Sequence, residues 1–479
     1  MEKQILLGEA GEEKPQRISW RVLTQEAKRT AYIAGPMVAV NLSQYFLQII
    51  SIMMVGHLGQ LSLSSTAIAI SFCGVTGFSL LFGMSSALET LCGQAHGAKQ
   101  YRQFGVQIYT AIFSLNIVCI PLSVLWIYMG KILVFMGQDT LISQQAAKFS
   151  SCLIPALFGY ANLQAVVRYF QMQSLIFPLI ISSLFAVCFH VVVCWILVFN
   201  SGLGNLGAAF SIGISYWVNW ILLALYMRFS SSCEKTRVSV SMELFQGVGQ
   251  FFRLAIPSAG MICLEWWSFE FLTMLSGILP NPRLETSVLS VCLATISTLY
   301  TVPDGLGAAA STRVSNELGA GNARAAYVAV WCSMFVATTL SIIVSSILFA
   351  SRHVFGYIFS NEKEVVDYVT DMAPLVSISV ILESFQVTLS GVARGCGWQN
   401  LGAYVNLVAY YICGIPVAAV LGFWLKFRGK GLWIGIQVGS FLQNVMLVII
   451  TSCTNWEEQA RKARERVFER RSISEDGSE

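Results

Sequence analysis

The chain has 479 residues, of which 55% are apolar and 12% charged, about half the charged share of an ordinary globular domain. With a mean hydropathy of +0.64, most of it is read as facing lipid, which excludes soluble enzymes, nucleic-acid binders and disordered chains. A net charge of +4 is too small for a nucleic-acid footprint.

Residues 1–30 carry Glu12, Glu13, Lys14, Arg17, Lys28 and Arg29 without the apolar core of about 7–15 residues that a signal peptide needs. They read as a cytosolic tail. Apolar runs then predict membrane helices over 31–55, 63–93, 104–129, 144–170, 176–199 and 205–229, an N-lobe covering 31–229. Residues 230–250, with Glu234, Lys235, Arg237 and Glu243, break the pattern as a cytosolic linker. Six more runs follow at 251–279, 286–317, 325–350, 366–394, 400–425 and 431–453, a C-lobe covering 251–453, and 454–479 is an Arg- and Glu-rich cytosolic tail. Lys99, Arg102, Arg228, Lys235, Arg237, Arg253, Arg313, Arg324 and Arg394 gather on the side of both termini, which the positive-inside rule makes cytosolic.

The two sets repeat each other. Pro257 stands 221 positions beyond Pro36, and Gly305, Thr312, Gly319 and Gln386 follow Gly83, Thr90, Gly97 and Gln164 at an offset of 222. Six spans return the chain to the same side, so the halves share one orientation. The expected fold is an all-α integral membrane protein of twelve transmembrane helices, in two six-helix lobes related by a parallel pseudo-twofold repeat. Such repeats place a substrate path between the halves and alternate its access by rocking.

An acid inside a span costs about 2.5–3.5 kcal/mol on insertion scales, so each is a site hypothesis. Glu265 lies 12 residues from Arg253 and Glu383 lies 11 from Arg394, or about 18 and 16 Å deep at 1.5 Å per residue. Two carboxylates at one depth suit a cation or proton site, because both cannot ionise cheaply in low dielectric. Glu265 and Glu383 are therefore the proton-coupling candidates. Asp304, Tyr300 and Glu270 are secondary: Asp304 follows the kinking Pro303, Tyr300 is a proton-side partner, and Glu270 is expected about 140° round the helix from Glu265, facing elsewhere. Ser268 and Thr295 are expected to line a wet cavity, with Trp266, Trp267 and Phe269 as an aromatic wall for flat or cationic solutes. Packing against lipid would account for those tryptophans equally. Glu89 is read as an inner-surface ion-pair residue near Lys99 that helps a gate close, and Arg313 as a second gate candidate.

No GxxxxGK[ST] run exists to cradle ATP phosphates, and His57, His96, His190 and His353 are too scattered for a metal site. The thirteen Cys fall singly, as buried hydrophobes rather than a disulfide framework. Secondary transport by a non-enzyme is left, with no cofactor, a proton as the coupling ion, and sodium or a lipid flippase as alternatives.

Longer motifs then carry a family resemblance. Gly56-His57-Leu58-Gly59, Ala87 to Ala95 (ALETLCGQA), Ala308 to Asn322 (AAASTRVSNELGAGN) and Gly391 to Gln399 (GVARGCGWQ) resemble the multidrug and toxic compound extrusion (MATE) transporters of the plant detoxification-efflux type. That resemblance implies two lobes about a central cavity, and efflux of organic cations, xenobiotics or amphiphilic plant metabolites in exchange for protons or sodium. It also implies essential acids in the second lobe at positions matching Glu265 and Glu383. Asn41 stands where some prokaryotic relatives carry a coupling Asp and is followed by Gln44; both are cavity candidates, but Asn41 cannot titrate. A monomer in the plasma membrane, ahead of the vacuolar membrane, is expected.

Overall fold

The computed structural model describes residues 20–359 and 362–476. Residues 1–19 of the expected N-terminal tail and 477–479 of the C-terminal one lie outside the described residues. The N-lobe comprises α1 (Trp20–Gly56), α2 (Gln60–Gly97), α3 (Tyr101–Ile127), α4 (Thr140–Met172), α5 (Ile176–Asn200) and α6 (Asn205–Phe229). The C-lobe comprises α7 (Val248–Ser276), α8 (Pro282–Gly319), α9 (Ala323–Ala350), α10 (Lys363–Cys396), α11 (Gln399–Trp424) and α12 (Arg428–Ser452). All of these but α7 are long and apolar enough to cross a membrane by length and composition alone. α7 is 29 residues long and pays in hydropathy for Arg253, Glu265 and Glu270. Large apolar side chains such as Phe177, Phe335 and Trp424 are exposed on the outer faces, as lipid contact requires.

Prolines interrupt the helices that border the lobe interface, each removing one backbone hydrogen bond. The repeat mates Pro36 and Pro257 sit inside α1 and α7, and Pro303 inside α8. α2 contains a π-helical turn over Gly74–Phe78, which leaves a backbone carbonyl free for a side-chain donor. Within the lobes α4 packs on α3 and α6, and α10 on α8 and α9; between them α1 meets α8, and α2 meets both α7 and α8.

The lobe interface is reciprocal in detail. A Cβ on Gly97 would lie 1.9 Å from the carbonyl oxygen of Asn316, and one on Gly319 would lie 2.1 Å from that of Gln94. Gly97 and Gly319 are repeat mates, as are Gln94 and Asn316, so α2 and α8 touch through the same patch used twice, as a two-fold axis demands. Only glycine allows backbones this close.

Two boundaries differ from those read in the sequence. α1 is already helical at Trp20, the first described residue, so the supposed tail up to residue 30 is partly helix, with Glu26 and Thr30 buried. Its charged residues conceal the extension from a reading of apolar runs. The C-terminal tail is also a helix, α13 (Trp456–Asp476). Trp456, Ala460, Ala463 and Val467 are buried along one stripe at helical spacing, and the helix docks on α2, α8 and α9.

Candidate functional site

A cavity of about 590 Å³ lies between the lobes. The N-lobe contributes Asn41 and Gln44 from α1, Phe78 and Phe82 from α2, Tyr160 from α4 and Tyr216 from α6. From the C-lobe come Glu265, Trp266, Trp267, Phe269 and Glu270 of α7, Tyr300 and Asp304 of α8, and Glu383 of α10. Ile52 and Ala67 also line it, at the ends of α1 and α2 furthest from the termini. The cavity therefore extends away from the termini, while the Gly97 and Gly319 contact closes the other side.

Glu265 and Glu383 are both buried at this cavity. Glu265 is held by two neighbouring helices: Tyr300 donates its hydroxyl to Oε1 at 3.3 Å, and Gln386 donates its amide to Oε2. Ser440 Oγ donates to Glu383 Oε1 at 3.0 Å and lies 3.0 Å from the Tyr410 hydroxyl, while Glu383 Oε2 has no hydrogen-bond partner. Asn41 Nδ2 donates to Asp304 Oδ2 at 2.7 Å across the lobe interface. Trp267 donates its indole N–H at 3.0 Å to the Val75 carbonyl in the π-helical turn of α2, and Trp266 stacks on Phe82 with ring centres 5.8 Å apart.

Several expectations change. Ser268 and Thr295 do not line the cavity: each hydroxyl turns back onto its own helix, at the carbonyls of Glu265 (2.6 Å) and Val291 (2.8 Å). Glu270 does line it, because the cavity wraps around α7 further than a single helical stripe. Glu89 is not at an inner surface beside Lys99; it is fully buried, 2.9 Å from Arg168 Nη1 and 2.8 Å from Arg394 Nε. Arg394, read as a surface marker, is buried with it at the interface of α2 and α10. Thr90 and Gln94 of α2 bond the carbonyls of Arg394 and Gly395, so this end of the interface is sealed by side chains as well as glycines. Arg313 makes a bidentate pair with Glu26 at 2.6 and 3.0 Å and a second pair with Glu317 at 2.7 Å.

Arg168 and Gln386 were not picked out as site residues. Arg168 lies inside a predicted span, where the cost of a buried cation is itself the signal. Gln386 was marked by the repeat, as the mate of Gln164.

Comparison with known proteins decides the family. The MatE family model matches the chain twice, over 36–196 and 257–420, beginning at the two repeat prolines. This chain belongs to the MATE family. Protein DETOXIFICATION 14 of Arabidopsis thaliana is 64% identical over 444 residues, covering 93% of this chain and 92% of its own length. Protein DETOXIFICATION 12 from the same plant is 56% identical over 460 residues, covering 95% and 96%. A crystal structure of the eukaryotic MATE transporter AtDTX14 superposes with a TM-score of 0.90 over 93% of this chain and all of that one. This MATE protein is accordingly an all-helical, multi-pass membrane efflux transporter of the plant detoxification type, and not an enzyme.

Proposed function

We propose that this MATE transporter is a proton-coupled antiporter that expels flat organic cations or amphiphilic aromatic metabolites, with Glu265 and Glu383 as the coupling carboxylates. One observation carries the reading: Glu265, Glu270, Asp304 and Glu383 all line the cavity, and no Lys, Arg or His lines it among the described residues. Such a space favours cations electrostatically, and Trp266, Trp267, Phe82 and the cavity tyrosines offer faces for stacking and cation–π attraction.

Proton and solute compete for the same carboxylates in this scheme. Protons entering from the cavity side, one to each carboxylate, neutralise Glu265 and Glu383, weaken the hold on a cationic solute and free the lobes to reclose about an empty site. Loss of these protons on the other side restores the negative charge and the next solute binds. Each charge moved through 100 mV supplies about 2.3 kcal/mol, enough to accumulate a solute against its gradient. With the termini cytosolic, the cavity faces outwards in this state. A monomer suffices, since the cavity is complete within one chain, and we assign it to the plasma membrane.

Proteoliposomes loaded with ethidium test the reading, with an imposed proton gradient in one set and a sodium gradient in the other. Transport driven by protons alone, and lost in both Glu265→Gln and Glu383→Gln, supports it. Sodium-driven transport at equal pH on both sides would transfer the same carboxylates to sodium coupling, and gradient-driven transport unchanged in both variants would remove them from the mechanism.

A further inference from the structure

Four charges meet where the cavity gives way to the closed end of the lobe interface, and each lobe supplies one of each sign: Glu89 and Arg168 from the N-lobe, Asp304 and Arg394 from the C-lobe, with Glu89, Arg168 and Arg394 buried and Asp304 half-buried at the cavity. In the state described, the hydrogen-bonded pairings cross the interface. Arg394 Nε reaches Glu89 at 2.8 Å, and Asp304 takes its hydrogen bond from Asn41 of the other lobe. Parting the lobes here strips Arg394 of its anion and Asp304 of its donor in the same movement.

We propose that Arg394 exchanges its carboxylate partner during the cycle, holding Glu89 when this end is closed and Asp304 of its own lobe when it is open. Two observations support the exchange. Asp304 and Arg394 border one small space, of about 10 Å³, together with Gln386 and Ser390, so the two side chains already share a common lining. The N-lobe pair, for its part, has capacity to spare: Arg168 Nη1 lies 2.9 Å from Glu89 Oε1 and is shared with Gln171 Oε1 at 2.6 Å, while Arg168 Nε is buried without a hydrogen-bond partner. Departure of Arg394 lets Glu89 turn fully onto Arg168. Each separated lobe then keeps a neutral pair, and no uncompensated charge is stranded in a medium where that is costly. Asp304 is thus a positioning residue for the closed-to-open change, acting through Arg394.

Gln386 and Ser390 lie eight and four residues before Arg394 on one face of α10, and Gln386 also holds Glu265. The exchange therefore occurs along the same face of α10 that holds Glu265 of the proposed coupling site. It rests on the reading that the lobes alternate, though not on which ion drives them.

Amide hydrogen exchange of the full chain in nanodiscs, without solute or ion gradient, tests this through peptides covering 87–97 and 388–399. Opening at this end exposes those amides. Glu89→Gln removes the closed-state partner and is expected to accelerate their exchange by about tenfold. Asp304→Asn removes the open-state partner and is expected to slow it, whereas a role confined to the Asn41 contact predicts acceleration, because the closed state alone would be weakened. Asp304→Ser gives a second reading with the same expected sign should the Asn variant fail to purify, and Asp304→Glu is expected to restore wild-type exchange. Exchange in the neutral Asp304 variants that is unchanged or faster overturns the proposal. Since no proton or sodium gradient is applied, this result stands apart from the fate of the coupling-site assignment.

Discussion

Gln44 is the N-lobe mate of Glu265. The two stand 221 positions apart, as do Pro36 and Pro257, and each accepts a hydrogen bond from the next pair of mates: Gln164 donates to Gln44 Oε1 at 3.0 Å, and Gln386 donates to Glu265 Oε2. One constellation is built twice, neutral in the N-lobe and acidic in the C-lobe. At the offset of 222, Glu383 corresponds to Ala161 and Asp304 to Phe82. The asymmetry of charge thus lies in the side chains, while the scaffold around them is nearly two-fold.

That symmetry yields a swap experiment. Gln44→Glu combined with Glu265→Gln moves one carboxylate to the mate position, where no second acid corresponds to Glu383. If coupling needs two acids in one lobe, the double variant is expected to transport ethidium at less than about a tenth of the wild-type rate. Recovery to wild-type rate would show that the two coupling carboxylates need not belong to one lobe.

Gln386→Leu keeps most of the side-chain volume and removes the amide that orients Glu265. The loss of a hydrogen bond to a charged group is worth about 1.5–3 kcal/mol, so transport is expected to fall by roughly tenfold or more, with the Tm changed by only a few degrees. Glu265→Gln/Gln386→Leu should be no slower than Glu265→Gln alone, because the amide acts through that carboxylate. Additive losses in the cycle would give Gln386 an independent role.

The architecture was legible because lipid imposes long apolar runs and because the repeat is written in Pro36 and Pro257, Gly97 and Gly319. Glu265 and Glu383 were legible for a related reason: a carboxylate in a span is costly enough to stand out singly. What sequence could not reveal was pairing across lobes. Glu89 sits ten residues from Lys99, which suggests a local partner, yet its partners come from α4 and α10, 79 and 305 positions away. The helical extension carrying Glu26 and the docked α13 were hidden by their charge, since a helix buried against protein needs only an apolar stripe. Ser268 and Thr295 show the converse, with hydroxyls that satisfy themselves on their own backbone and never reach the cavity.

Trp266 separates recognition from turnover. Its ring lines the cavity and stacks on Phe82, while the donors to Glu265 are Tyr300 and Gln386. Trp266→Ala is expected to raise the KM for ethidium by about 5- to 30-fold, from the loss of roughly 1–2 kcal/mol of stacking and cation–π attraction, with kcat within about twofold. Trp266→Phe should restore most of the difference. A variant that lowered kcat at unchanged KM would show that the ring acts in the conformational step instead.

The Glu26–Arg313 pair ties the start of α1 to the terminus end of α8, and its worth can be bounded. Both side chains are largely buried, at 8% and 13% exposure, and the bidentate geometry is the strongest arrangement available to the pair. Arg313 retains Glu317 when Glu26 is neutralised, so the cost should fall below the 3–5 kcal/mol typical of an orphaned buried charge; about 1–3 kcal/mol is expected. Glu26→Gln and Arg313→Met should each lower the Tm of the purified protein by a few degrees. The double variant should lose less than the sum, with a coupling of at least about 1 kcal/mol. Strict additivity would mean that the contact contributes nothing to holding α1 on α8, and that the interface there rests on apolar packing alone.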